Sequence, residues 1–324
     1  MSDRRRNSRM NNRKKSRKKK NYTSIEITIP NKGKIIASVI SLIIVLILTL
    51  INIDDVFVVI SEHNKPNEQQ NKTEVQMSEN LHIYFIDVGQ ADSILVTNKD
   101  EAMLIDAGNN DDGKQVVDFI KEKGVNKLNY LIGTHPHEDH IGGLDDVLNS
   151  DLEIDNLLMP KIQTNTRTFE NVVDSALKRK LKATVPNKGE KFKIGEANCE
   201  IMTDSILDES NLNLSSIVIR LEFGNNSALF MGDAEKQNEN SRSWPKTNIL
   251  KVGHHGSSTS SSQNFLEQVS PEYSIIMVGK DNSYNLPKQE IIDRLNKIES
   301  KIYRTDELGT IEFILDGNEI RVGE

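Results

Sequence analysis

The sequence predicts a layered α/β domain preceded by a single membrane-spanning helix, and three observations carry that expectation. An uncharged apolar run of nineteen residues lies near the N-terminus. From Leu81 onward, short apolar strands alternate with segments of helical spacing. Several of those strands run straight into histidines or aspartates, the strand-end position at which α/β layers place their sites.

The apolar run, IIASVISLIIVLILTLINI, covers residues 35–53. A helix rises about 1.5 Å per residue, so the run spans roughly 28 Å, close to a hydrocarbon core of about 30 Å. It is too long for a cleavable leader, and no small-residue cleavage site follows it. Residues 1–34 form a basic tail: positions 1–20 alone hold eleven of the 41 Lys and Arg and a single acid, Asp3. Such an excess stays in the cytoplasm, so a signal anchor is expected that leaves the body outside the cell. Residues 54–80 are mostly polar and aperiodic and read as a flexible tether, which leaves 81–324 as the folded body.

Within the body, LHIYFI at 81–86, SILVT at 93–97, AMLID at 102–106 and LNYLIGT at 128–134 read as strands. So do Ile154–Met159, Ser216–Phe223, Ala228–Met231 and Ile249–Val252. Helical spacing marks Asp112–Lys123, stopped by Gly124, and also Phe169–Leu181, Ser262–Val269 and Pro287–Ile298. One cysteine, Cys199, excludes both an internal disulfide and a cysteine-built zinc site, and its apolar-alternating surroundings make it core filler. A disulfide-free outer domain leans toward a bacterial surface.

The chemistry concentrates in His135-Pro136-His137-Glu138-Asp139-His140, which follows a strand and precedes Gly142 and Gly143. Packing does not call for four such donors in six residues. Imidazole with carboxylate suits zinc, manganese or iron, while the lack of thiolate disfavours copper(I). Alternation along the chain lets His135 and His137 face one ion while Asp139 and His140 turn to a second. Two further strands end in Gly232-Asp233 and in Gly253-His254-His255-Gly256. Asp233 is placed to bridge two ions, and the histidine pair supplies another imidazole.

These residues carry a resemblance. The order HxHxDH, GD, HHGS is similar to that of the metallo-β-lactamase superfamily. More narrowly, DVGQADSILV at 87–96, LIDAG at 104–108, THPHEDHIGG at 134–143, LFMGDAE at 229–235 and LKVGHHGSSTSS at 250–261 resemble the hydrolase domain of ComEC-type DNA-uptake proteins. The resemblance covers about three quarters of the chain. It implies an αββα sandwich with two divalent metal ions, zinc first and manganese second. It assigns His135 and His137 to one ion, Asp139 and His140 to the other, Asp233 between them, and His255 or its neighbour His254 to the second. Asp106 would sit behind the ligand loop and orient it. The implied reaction is hydrolysis by metal-activated water, with Asp139 or Asp233 accepting the proton.

The chain departs once from the superfamily pattern and once from the ComEC-like one. No histidine lies between His140 and His254, where Asn211–Ser216 stands instead, so the first ion lacks a ligand that Asn213 or water could replace. The relatives' N-x-Y-G-H-P becomes Asn282-Ser283-Tyr284-Asn285-Leu286-Pro287, with leucine for a late histidine. A phosphodiester substrate, DNA among them, is expected from the resemblance. Against tight duplex binding, residues 54–324 hold 28 basic and 46 acidic residues, a balance of −18. The alternatives are a cell-wall phosphodiester esterase of the phosphorylcholine type and, from another class, a catalytically weakened binding or assembly component of a DNA-uptake system.

Overall fold

The computed structural model describes residues 79–323 other than 205–207 and 209. The basic tail, the apolar run at 35–53 and nearly all of the tether lie outside the described residues, and no described helix is long and apolar enough to cross a membrane.

Two sheets are present. The first has the strand order β15-β14-β1-β2-β3-β4-β5-β6 and the second β13-β12-β11-β10-β9-β8-β7. In the first sheet lie β1 (Leu81–Phe85), β2 (Ile94–Asn98), β3 (Glu101–Ile105), β4 (Lys127–Ile132), β5 (Glu153–Leu158), β6 (Ala183–Thr184), β14 (Ile311–Leu315) and β15 (Ile320–Val322). The second is built from β7 (Lys191–Ile194), β8 (Ala197–Ile201), β9 (Ile219–Phe223), β10 (Asn226–Phe230), β11 (Ile249–Lys251), β12 (Tyr273–Ile276) and β13 (Lys301–Arg304).

Alternate side chains of both sheets meet in the middle, where Ile83, Phe85, Met103, Phe223, Phe230 and Phe313 are buried. Cys199 is buried in this layer, and burial pushes its thiol well up from its usual range. The outer face of the first sheet packs Leu95, Leu104 and Leu131 against α1 (Gly113–Glu122), α2 (Glu138–Ile141), α3 (Leu144–Asn149) and α4 (Arg167–Arg179). The second sheet packs Leu229, Leu250 and Ile276 against α6 (Gln263–Val269) and α7 (Gln289–Lys297). Short helices α5 (Lys236–Glu239) and α8 (Thr305–Leu308) are also present among the described residues. Helices thus cover both faces of a two-sheet core, the αββα arrangement.

The expected strands and helices are present, with ends shifted by one to three residues. The expected strand 216–223 begins only at Ile219, because Leu212–Ser215 forms a 3-10 turn that presents Asn213 and Ser216 to the site. Helices α2, α3, α5 and α8 and strands β6 to β8 and β12 to β15 were not among the expected elements. Strand β14 pairs antiparallel with β1, with Leu81 opposite Leu315, so the C-terminal segment sits in the sheet that the first strand opens. Strands β3, β4 and β5 run parallel, as do β10, β11 and β12, so their C-terminal ends converge on one edge of the sandwich.

Candidate metal centre

Each chemical side chain follows one of those converging strand ends. Strand β3 delivers Asp106, β4 delivers Thr134 and His135, β10 delivers Asp233, and β11 delivers His254 and His255. The pair Gly142 and Gly143 lets the His135–His140 segment lie against the loop after β3. A Cβ on Gly142 would stand 2.3 Å from the Asn109 carbonyl carbon, and one on Gly143 2.3 Å from the Ala107 oxygen, so only glycine fits. The Ala107 N–H donates to the His140 carbonyl across this contact at 2.8 Å.

The separation of the two donor pairs has a different cause from the one expected. His137 is extended, but the chain turns helical at Glu138, so Asp139 and His140 diverge from His135 and His137 by a helical turn rather than by strand alternation. His254 and His255 also part ways through their backbone. Both are left-handed, at φ 49° and 50°, a conformation costing non-glycine residues of order 1 kcal/mol each. The turn buries His255 and leaves His254 one quarter exposed to the cleft.

Around Asp233 the groups divide by carboxylate oxygen. Oδ1 faces His140 Nε2 at 3.2 Å and His255 Nε2 at 3.6 Å, and Asp139 Oδ2 lies 3.3 Å from His255 Nε2. Oδ2 faces His254 Nε2 at 3.6 Å and His135 Nε2 at 3.8 Å, and His135 Nε2 is 3.0 Å from His137 Nδ1. Donor atoms of Asp139, His140, Asp233 and His255 lie within 4.8 Å of one another. The described residues thus bring together His135, His137, Asp139, His140, Asp233, His254 and His255 at one sheet edge.

The ring tautomers follow from the hydrogen bonds. Asp106, at φ 59°, accepts from the Thr134 N–H at 2.8 Å, from Thr134 Oγ1 at 2.7 Å and from His140 Nδ1 at 2.8 Å. His255 Nδ1 donates to the Met277 carbonyl at 2.9 Å. Both rings therefore carry a proton on Nδ1 and direct Nε2 at carboxylate oxygens. A bare nitrogen lone pair facing an oxygen lone pair is repulsive, so a cation has to stand between them, either a proton or a metal ion. His140 Nε2, His255 Nε2 and Asp233 Oδ1 are buried and have no hydrogen-bond partner among the described residues. Three such orphans at one point, all nitrogen and oxygen donors, fit a divalent cation.

The electrostatics agree. Burial would lower the His255 imidazole, but Asp233, Asp92 and Asp139 push it up to about 10. His140 is likewise held well above the ordinary range, against burial, by Asp233, Asp106 and Asp139. Burial and the neighbouring His140 depress His135, and burial depresses His137. The carboxyls of Asp139 and Asp233 are held low against burial by their histidine neighbours, so both are ionised.

Asn213 lies beside His254, its Nδ2 3.3 Å from the ring Nδ1 and 3.2 Å from Glu235 Oε1, and its Oδ1 is buried without a partner among the described residues. Leu286 does not reach these donors; it packs against the apolar layer under α6 and α7. Asn282 holds its loop, donating to the Leu286 carbonyl at 2.7 Å. Three neighbours escaped the reading of single residues. Asp92 and Lys251 are buried beneath the cluster as an ion pair, and Glu235 lies 3.5 Å from His254 Nδ1. All three lie inside the quoted motifs, Asp92 in 87–96, Glu235 in 229–235 and Lys251 in 250–261, which was the available signal.

Comparison with known proteins places the chain in a family. The chain is 29% identical over 259 residues to ComE operon protein 3 of Bacillus subtilis, covering 73% of this chain and 33% of that protein. It is 28% identical over 245 residues to Recombination protein 2 of Haemophilus influenzae, covering 73% and 29%. Competence protein ComA of Neisseria gonorrhoeae is 27% identical over 250 residues, covering 70% and 31%. The chain therefore spans about a third of the length of these curated relatives. Among solved structures, the metallo-beta-lactamase fold protein YhfI of Bacillus subtilis superposes with a TM-score of 0.51 at 8% identity, covering 73% of this chain and 99% of that one, a likeness of fold. The family model of the metallo-beta-lactamase superfamily matches residues 86–280, well over half of the chain, and the chain belongs to that superfamily.

Proposed function

We propose that this chain is a metal-dependent hydrolase of phosphodiesters, anchored by residues 35–53 with its body at the outer face of a bacterial membrane. The observation that carries the reading is the set of orphaned donors, His140 Nε2, His255 Nε2 and Asp233 Oδ1, converging with Asp139. In this reading Asp139, His140, Asp233 and His255 would hold one ion, zinc or manganese. His135, His137 and His254 would hold the other, together with Asp233. His254 thereby takes the place of the histidine missing between His140 and Asp233, and Asn213 and Glu235 steady its ring.

Two bound divalent ions would supply an acidified water and charge stabilisation for the attacked phosphorus. The chain's own residues do the rest. Asp106 and the Met277 carbonyl fix the two imidazoles, and Thr134 ties Asp106 to the ligand loop. Asp139 is the exposed carboxylate of the cluster, one third accessible, and is placed to take a proton from a water in the cleft. Asp233 is buried and keeps its charge for bridging.

A polyanionic substrate is supported by a local exception to the acidic balance. Residues 178–193 hold seven basic residues and one acid. Lys178, Lys180, Lys182, Lys188 and Lys193, running from the end of α4 past β6 into β7, are exposed, and none forms an ion pair among the described residues. The second reading, a weakened assembly component of a DNA-uptake system, is favoured by the apolar packing of Leu286 and by the relatives' names.

The test is hydrolysis of bis-p-nitrophenyl phosphate and of single-stranded DNA by the purified chain loaded with manganese or zinc, beside an Asp139→Ala control. Turnover lost in the control supports the hydrolase. Bound metal without turnover on either substrate leaves the assembly reading.

A further inference from the structure

The buried cluster contains a second group of possible metal donors. Carboxylate oxygens of Asp92 and Asp106 and a ring nitrogen of His140 also lie within 4.8 Å of one another. Asp92 is 1% exposed and lies at the centre of three motifs. Its N–H donates to the Asp139 carbonyl at 3.0 Å, and its own carbonyl accepts from Gly108 N–H at 2.9 Å. Its Oδ1 stands 3.4 Å from His255 Nδ1, whose proton goes to the Met277 carbonyl, and has no hydrogen-bond partner among the described residues. Its Oδ2 is in direct contact with the ammonium of Lys251, and Lys251 is fully buried. The same ammonium donates to the Gly232 carbonyl at 3.3 Å, the residue just before Asp233.

A buried lysine on a central strand is costly, and replacing such a pair by apolar groups is often neutral or stabilising. Its place against Asp92, behind the metal donors, calls for a role. The ammonium stands where a further cation would otherwise be drawn, because Asp92 and Asp106 would together attract one. It also satisfies Asp92 Oδ2, which leaves Oδ1 facing the His255 ring.

We propose that Asp92 and Lys251 are a positioning pair for the second metal: Asp92 sets its charge behind the His255 ring, which the Met277 carbonyl holds with Nε2 toward Asp139 and Asp233, and Lys251 is the resident cation that keeps Asp92 out of the coordination sphere. The inference rests on the two-metal reading above and adds what limits the cluster to two ions. A carboxylate behind a ligating imidazole raises its basicity, and losing such a partner costs about 10–100-fold in metal affinity.

The experiment measures metal content after dialysis, chelator competition and the visible spectrum of the cobalt(II) form for the full chain and two variants. Wild type retaining two equivalents supports the two-metal reading; fewer than two sinks that reading itself. Given two, Lys251→Met is expected to take up a third equivalent, because Asp92 is freed as a ligand, and to alter the cobalt bands. The double variant Asp92→Asn/Lys251→Met removes both charges together, which protects folding. It is expected to keep the first ion at wild-type affinity and bind the second about tenfold more weakly. If Lys251→Met does not fold, the double variant decides. Two equivalents with an unchanged spectrum in Lys251→Met, or unchanged second-ion affinity in the folded double variant, overturns the proposal.

Discussion

Replacing Asp106 by Asn tests whether a hydrogen bond chosen by one carboxylate decides metal binding. Asp106 accepts three hydrogen bonds, at 2.8, 2.7 and 2.8 Å, and an amide cannot accept all three. With its oxygen kept on the Thr134 N–H, the amide nitrogen faces Thr134 Oγ1, which can rotate to accept, and His140 Nδ1, which has to give up its proton to do so. That proton then moves to Nε2, the atom directed at Asp233, and the lone pair a metal needs is gone. Loss of such an orienting partner costs about 10–100-fold in affinity, or about 1.4–2.7 kcal/mol. Asn tolerates the left-handed backbone of residue 106, so the backbone adds no separate penalty. In a thermal melt with zinc at a hundred times the wild-type dissociation constant, binding stabilises by about 2.7 kcal/mol. A hundredfold weaker variant would keep only about 0.4 kcal/mol of that. Chelator competition gives the affinity directly. An Asp106→Asn protein that binds both ions at wild-type affinity would refute the tautomer argument.

Other expectations follow from the same geometry. His254→Ala should lower the first ion's occupancy and His255→Ala the second's, read by cobalt substitution; both variants affecting the same ion would undo the division by Asp233 oxygens. His140 and His255 are held protonated at pH 7 in the metal-free protein, so loading the second ion should release protons, and its affinity should climb with pH by about tenfold per unit per displaced proton until the His255 value near 10 is passed. Calorimetry in buffers of different ionisation enthalpy counts them, and a pH-independent affinity between 6 and 9, as orders of acidity go, contradicts the assignment. Changing Lys180, Lys182 and Lys188 to Glu should weaken single-stranded DNA binding and flatten its salt dependence without altering bis-p-nitrophenyl phosphate turnover; parallel loss on both substrates would place those lysines outside substrate contact. Glu239→Ala should destabilise the fold by about 2 kcal/mol in denaturant titration, since its carboxylate accepts the N–H groups of Ser261 and Ser262 ahead of α6; an unchanged midpoint argues against that cap.

Much of this molecule was legible residue by residue. Apolar runs placed the strands from β1 to β5 and from β9 to β11, because side-chain period and strand length are local properties. The donors in His135–His140 declared themselves because packing has no use for such density, and strand-end placement tied Asp233, His254 and His255 to them. Tertiary structure decided the remainder. Which oxygen of Asp233 meets which histidine depends on the left-handed turn at His254 and His255 and on the helical turn at Glu138, neither of which has a periodic signature. Strand β14 joins β1 across the whole body, with Glu312 bonded to His82 at 2.6 Å, and no local pattern encodes so distant a register. The Asp92–Lys251 pair is invisible to hydropathy, which reads each charge as surface. Only the fold brings the two within contact beneath His255, where a low-dielectric interior makes each charge depend on the other.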